Sequence, residues 1–360
     1  MSRKALAPAI VTIVILAIVV ITVMLPLALT TQDPVGVLET FLFGPFRNLR
    51  YLGNIVEMAT PTMLCGLAVA LMFRSGMFNL GVEGAFYLGG LGTVAAALLL
   101  PMPWWAAAPV ALAAGAVIGS TVCVLPGVMR AHFDTSELVT SLMLNFVALF
   151  VGLFVLNYFL RDPAAGAMAS YKIPLEAQLP RIVPGTRIHL GTVLALLACI
   201  GGAIYLFRTA GGFEARLVGS NPSFAAHLGL PLRRVMVRSA ALGGLIAAFA
   251  GGIEMLGLYT RFSWQALPGT GWVGVTVAIL ARDNPLLLIP SALFLAYLQV
   301  GGDLVGRNFD VPIEGVGLIN ALVLLIATAA AIIRNPMLLR LVSGERSAGL
   351  TKSLPKAEAH

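Results

Sequence analysis

Apolar blocks long enough to cross a hydrocarbon core of about 30 Å recur along almost the whole chain. No other feature narrows the fold so far. A chain in lipid must satisfy every backbone polar group internally, which leaves helices or a closed barrel, and blocks of this length are helical. Composition agrees: 59% of the 360 residues are hydrophobic and 11% are charged, against about 25% charged in soluble domains. The expected fold is an all-α polytopic membrane protein. A single transmembrane domain over residues 1–335 leaves a tail at 336–360 and no room for a soluble domain.

Reading for runs broken by Pro, Gly or charge predicts ten crossings, near 8–30, 54–73, 77–100, 105–129, 137–160, 190–207, 235–258, 270–281, 285–303 and 312–333. The eighth is too short to span, so it is a broken or re-entrant segment, or it borrows from the preceding loop. The first run is longer than a signal-peptide core and reads as an uncleaved helix. With both termini cytoplasmic, 15 of the 23 basic residues lie inside. Four of the eight outside basic residues fall in the long extracytoplasmic loop 161–189. Trp104, Trp105, Trp264 and Trp272 fall at the outer boundary in this topology. The net charge of +7 is then a topology signal, and no nucleic acid is expected.

Small residues repeat at four-residue spacing in three stripes: Gly81, Ala85, Gly89 and Thr93; Ala111, Gly115, Gly119, Cys123 and Gly127; Gly243, Ala247 and Gly251. They predict close helix packing within one subunit. Cys65, Cys123 and Cys199 read as small core residues. No GxxxxGK[ST] occurs, so the chain is not itself an ATPase. His132, His189, His227 and His360 read as solvated loop histidines, and no metal site or cofactor is expected. No pairing of nucleophile and base suggests an enzyme. Residues 66–74 and 274–282 share small residues in register, but both run in the same direction, and such matches arise by chance.

Two polar segments stand out. Residues 74–84, RSGMFNLGVEG, place Arg74, Asn79 and Glu83 between apolar runs. Asn79 is the expected cap of the third helix, with Glu83 about two turns in. A carboxylate there must be hydrogen-bonded or paired. Arg74 is the nearest candidate partner, and backbone amides of Gly81–Gly84 or of the short eighth helix are the others. A structural role for Glu83 is favoured over a solute ligand. The second segment, residues 208–234, forms the longest inside loop. Asn221-Pro222-Ser223 is a helix-start signal and Gly229 a stop, which makes a knob on the cytoplasmic face.

GMFNLGVEGAFYLGG (76–90), VGSNPSFAAHLGL (218–230) and GTGWVGVTVAILARDNPL (269–286) together resemble the permease subunits of bacterial ABC importers in the branched-chain amino acid, ribose and nucleoside group. The FN-x-GVEG form is most similar to permeases paired with nucleoside-binding lipoproteins, with departures at Ala85 and at Ala281-Arg282-Asp283-Asn284. The resemblance implies a multi-pass subunit in the bacterial inner membrane that carries nucleosides by alternating access. Its implied partners are cytoplasmic ABC ATPase subunits that bind the ATP, a second permease subunit and an extracytoplasmic solute-binding protein. The hairpin residues Arg74, Phe78, Asn79, Glu83 and Gly84 are assigned to the pathway, with Phe78 and Asn79 near the inner gate. Glu214, Gly219, Asn221, Pro222, Ala225, Ala226 and Gly229 are assigned to ATPase coupling. The alternatives are a sugar or branched-chain amino acid permease and, from another class, an ion-coupled secondary transporter using Glu83 and Glu254.

Overall fold

The computed structural model describes residues 33–309. Its helices are α1 (Pro34–Phe43), α2 (Leu49–Phe73), α3 (Val82–Leu99), α4 (Trp104–Phe133), α5 (Glu137–Val155, continued by a π turn over Leu156–Leu160), α6 (Leu190–Arg208), α7 (Ala210–Ser220), α8 (Pro222–His227), α9 (Leu232–Leu258), α10 (Thr270–Leu280) and α11 (Leu288–Asn308). Seven helices among these residues are long and apolar enough to span: α2, α3, α4, α5 with its π turn, α6, α9 and α11. They match seven of the ten expected crossings. The eighth expected crossing is the short α10, and the first and last lie outside the described residues, as do both termini. The chain is a multi-pass membrane protein.

Two compact units are present. The smaller includes residues 33–44 and 301–309. There Asp33 caps α1 by accepting from Gly36 N, and Gly301 lies against the Phe41 carbonyl. The larger is residues 45–300. Its central helix is α2, capped by Asn48, whose side chain accepts from Arg50 N. Residues 59–72 of α2 are buried without a break. Thr60 and Thr62 turn their hydroxyls back onto the Val56 and Met58 carbonyls, which satisfies polar side chains in an apolar core.

The three small-residue stripes meet in one seam between α3, α4 and α9. Gly89 faces the Ala248 backbone, Gly115 faces Thr93 and Gly89, Gly119 faces Ala85 and Ala248, and Gly251 faces the Phe86 carbonyl. Each glycine stands where a Cβ would collide with main chain of the next helix, so the stripes pack the bundle internally, as the spacing predicts. The three cysteines are buried, as expected.

The loop 161–189 lies folded over the end of α9. Ser170, Ile173 and Leu179 donate backbone N–H groups to Phe262, Thr260 and Leu256, and Arg261 pairs with Asp162 at 2.6 Å. Hydrogen bonds from Arg261 and from the Ala164 amide hold the Asp162 carboxyl below its ordinary range. His189 corrects the expectation of a solvated loop histidine. It is 1% exposed, its Nδ1 accepts from Gly191 N as the cap of α6, and Gly257 of α9 leaves room for the ring. Trp264 is also displaced from its expected interfacial place: it is buried against Phe86 and Phe262, with ring centroids 5.3 and 5.4 Å away. Interfacial preference yields because the 259–269 loop turns inward and carries the indole into the bundle.

Adding a methyl at Gly251 should lower the stability of the purified permease by about 1–3 kcal/mol, the range for overpacking. Gly201→Ala, which meets nothing within 4 Å, should not. Thermal melts of the two variants check this. Burial first, and then the charge of Arg181, lower the His189 pKa from 6.5 to about 4. The folded state therefore binds fewer protons than the unfolded one between these values. The stabilisation is fully present above about pH 6.5 and drains away toward pH 4, for a total of about 3 kcal/mol. His189→Asn keeps a capping group without titrating, so its melting temperature should fall less than the wild type's between pH 7.5 and 5.

Candidate functional site

The reversal after α2 begins the site. Ser75 Oγ donates to Met72 O at 2.7 Å, and Gly76 adopts φ +77°, so the helix stops there. The chain does not re-enter helix at Met77. Residues 77–81 run without helical hydrogen bonding, and α3 starts at Val82 behind a Gly81 cap. Asn79 is therefore not the helix cap that the sequence suggests, but lies two residues before it. Its Oδ1 accepts from Gly81 N at 2.9 Å and its Nδ2 donates to Cys123 O at 2.7 Å, so the side chain is fully buried. Glu83 is consequently in the first turn of α3, not two turns in.

Backbone left without helical partners inside a membrane bundle costs several kcal/mol per unsatisfied group. A polar stripe on α5 supplies the partners. Glu137, Ser141 and Asn145, one turn apart, accept from Phe78 N at 3.3 Å, Leu80 N at 3.0 Å and Gly84 N at 2.9 Å, while Asn145 Nδ2 returns a bond to Leu80 O at 3.0 Å. Glu137 is itself held by Arg130 at 3.3 Å. Cys123 lies ten residues before the end of α4 at Phe133, or about 15 Å along its axis. The start of α3 is therefore well inside the bundle.

α10 begins beside it. From the end of α9 the chain turns inward, with Tyr87 Oη donating to Trp264 O at 3.3 Å, and reaches Gly269 in a left-handed conformation of φ +85°. Glu83 then receives the helix. Its Oε1 accepts from Gly269 N at 2.6 Å, and its Oε2 accepts from Gly271 N at 2.6 Å and Trp272 N at 3.3 Å. A carboxylate satisfies the free amides of a helix N-terminus and complements its positive dipole end. Gly271 permits the approach, since a Cβ there would lie 2.6 Å from Glu83 Cα.

The other end of α10 is held by Arg74. Its Nε donates to Asp283 O at 3.1 Å and its Nη2 to Arg282 O at 2.9 Å. Arg282 and Asp283 both adopt φ 53°, a left-handed exit from the helix. Arg74 and Glu83 thus do not pair with each other. They hold opposite ends of an 11-residue helix about 16 Å long, half a hydrocarbon core. Phe78 is 55% exposed and its ring lies 4.9 Å from that of Phe73.

The knob is two helices. Thr209 caps α7 by accepting from Gly212 N, and Asn221 caps α8 by accepting from Phe224 N at 2.9 Å, with Pro222 at the first helical position. The expected short helix and its glycine stop are present; Gly229 has φ +75°. α7 was not anticipated. Ala225 is fully buried with Ala215, Val218 and Val235, forming a small core of its own. Glu214 bonds Arg238 at 3.0 Å. Asn221, Pro222, Ala226 and Gly229 are exposed, as are Phe224 of α8 and Leu228, its C-cap, one turn apart. Gly219 packs on the other segment: it lies against the Arg74 carbonyl and the Gly76 amide.

A family model described as branched-chain amino acid transport system / permease component matches residues 51–328. The chain belongs to this permease family. Guanosine ABC transporter permease protein NupP of Bacillus subtilis is 30% identical over 82% of this chain and 85% of its own length. Glucose ABC transporter permease protein TsgB13 of Haloferax volcanii is 32% identical, covering 81% and 80%. Nucleoside ABC transporter permease protein NupB of Lactococcus lactis is 26% identical, covering 81% and 83%.

The permease is a transport subunit and not an enzyme. Its hairpin residues Arg74, Asn79, Glu83 and Gly84 are gathered around one turn, and Gly219 of the knob touches that turn. Sequence reasoning offered the amides of the short eighth helix, where Gly271 lies, as one of the candidate partners of Glu83, and missed Ser141, Asn145 and Gly269. Ser141 and Asn145 carried a signal in polar residues at a four-residue interval on an apolar helix.

Glu83→Gln in this permease places an amide donor against amide donors. It should cost about 1.5–3 kcal/mol, the range for a charged hydrogen bond. Gly271→Ala should destabilise through the same contact, so the double variant should lose less than the sum. Melting of the purified variants reads both. A Glu83→Gln permease of unchanged stability with altered solute preference would show the carboxylate to be a solute ligand instead.

Proposed function

We propose that the permease is the membrane subunit of a bacterial inner-membrane ABC importer for nucleosides. The observation that carries this reading is the FN-x-GVEG hairpin, in a chain that aligns over most of its length with permeases named for guanosine and nucleosides. The site chemistry supports a neutral solute. Among the described residues, the N-termini of α10 and α3 lie inside the bundle, and each is served by the chain's own side chain, Glu83 at α10 and Asn145 at α3. Neither end is left open for an anionic group. The relative named for glucose carries the second reading, a neutral sugar. Ion exchange by Glu83 and Glu254 is disfavoured, because Glu83 is engaged by three amides.

In this reading the α7–α8 knob faces the cytoplasm and the loop 161–189 faces outward, toward a solute-binding protein. α8 inserts Phe224 and Leu228 into an ATPase subunit, and the ATPases bind the ATP. Asn221, Pro222, Ala226 and Gly229 border that contact, while Ala225, Glu214 and Gly219 shape the knob. A second permease subunit completes the pathway, with Phe78 beside it and Arg74, Asn79, Glu83 and Gly84 holding the hairpin. Solute crosses by alternating access as ATP closes the motor dimer.

Uptake of labelled guanosine by cells expressing the whole transporter should be competed by unlabelled nucleosides and not by glucose. Competition by glucose alone would select the sugar reading. Phe224→Asp or Leu228→Asp should release the ATPase on co-purification while leaving the permease's own melting unchanged. Ala225→Asp buries a charge in the knob and should lower stability as well. ATPase retention by both surface variants would refute the docking assignment.

A further inference from the structure

The knob and the mid-bundle helix break are joined by one continuous set of contacts. Gly219, in the last turn of α7, lies so close to the reversal that an added Cβ would meet the Arg74 carbonyl and, at 2.8 Å, the Gly76 amide. The contact is mutual: a Cβ on Gly76 would lie 3.2 Å from Gly219 Cα. Gly76 is also constrained by its φ of +77°, which side chains rarely adopt. The knob therefore rests backbone to backbone on residues 74–76, with no flexible side chain between them. From the same residue, the Arg74 guanidinium reaches the Arg282 and Asp283 carbonyls at the end of α10. Beyond the reversal, Glu83 holds the start of α10. The segment 74–83 grips that short helix at both ends.

We infer that Arg74 and Gly219 are positioning residues that carry displacement of the α7–α8 knob to α10, so that α10 moves as a strut with the knob. This rests on the reading of the knob as the ATPase-docking element. A helix of 11 residues with a charged clamp at each end resists bending, and close-packed main chain transmits displacement where a side-chain contact would absorb it. Gly219 acts through Arg74 and needs no contact with solute.

The test uses the complete transporter in lipid vesicles. Thr276 of α10 is partly exposed and is replaced by Cys as a reporter. The native cysteines are buried. Labelling of the reporter by a thiol reagent is measured without nucleotide and with ATP trapped by vanadate. In the parent protein the labelling rate should differ between the two states. Arg74→Ala and Gly219→Ala should each lose that difference while still co-purifying with the ATPase, and Arg74→Lys, which keeps charge and donors, should recover part of it. A purely structural role would lower stability and leave the nucleotide-dependent difference in the surviving protein. Persistence of the full difference in both variants overturns the inference. Failure of the parent protein to bind the ATPase through α8 is a separate outcome, read from Phe224→Asp, and it overturns the docking assignment on which the inference rests.

Discussion

The larger unit depends on how a short helix is ended inside a bundle. The buried amides at the start of α10 are met by the Glu83 carboxylate, and the carbonyls just past its more exposed end are met by the Arg74 guanidinium, each of matching sign. Both come from one stretch of ten residues. That stretch can leave helix only because α5 satisfies its amides with Glu137, Ser141 and Asn145. Taking away any one member would expose polar backbone in the next.

Glycine works differently in different parts of this molecule. In the α3–α4–α9 seam it subtracts volume, so that carbonyls of one helix approach the axis of another. At Gly76, Gly229 and Gly269 it supplies a left-handed backbone where an element ends or begins. At Gly219 and Gly271 it permits a contact between segments far apart in sequence. The last kind has the greatest functional weight, since it joins the knob to the hairpin and the hairpin to α10.

Much of this was legible in the residues. Apolar blocks located seven spanning helices, because length and hydropathy decide whether a segment can live in lipid. Four-residue spacing showed the packing stripes, and Asn221-Pro222-Ser223 showed α8, because both are local signals. Pairing across sequence was harder to read. Arg74 is nine residues from Glu83 and was the nearest candidate for an ion pair; of the candidates named, the amides of the short eighth helix are the ones Glu83 binds, while the Arg74 partners at 282–283 are backbone groups, which carry no identity in a sequence. His189 and Trp264 were misplaced for a related reason. Hydropathy assigns a loop to the surface, but folding of residues 161–189 and 259–269 over and into the bundle buries both side chains.

The polar stripe on α5 also bears on how the chain is made. The Phe78, Leu80 and Gly84 backbone groups take their partners from residues 137–145, which are synthesised only after α3 and α4. Until then those groups have water or lipid headgroups as their alternatives, and on α5 Ser141 has the Leu138 carbonyl but Asn145 waits for residues 80 and 84. Helices inserted strictly one at a time would strand both halves in hydrocarbon. The chemistry favours holding residues 77–84 at a wet boundary until α5 emerges, so that the two enter the bilayer together.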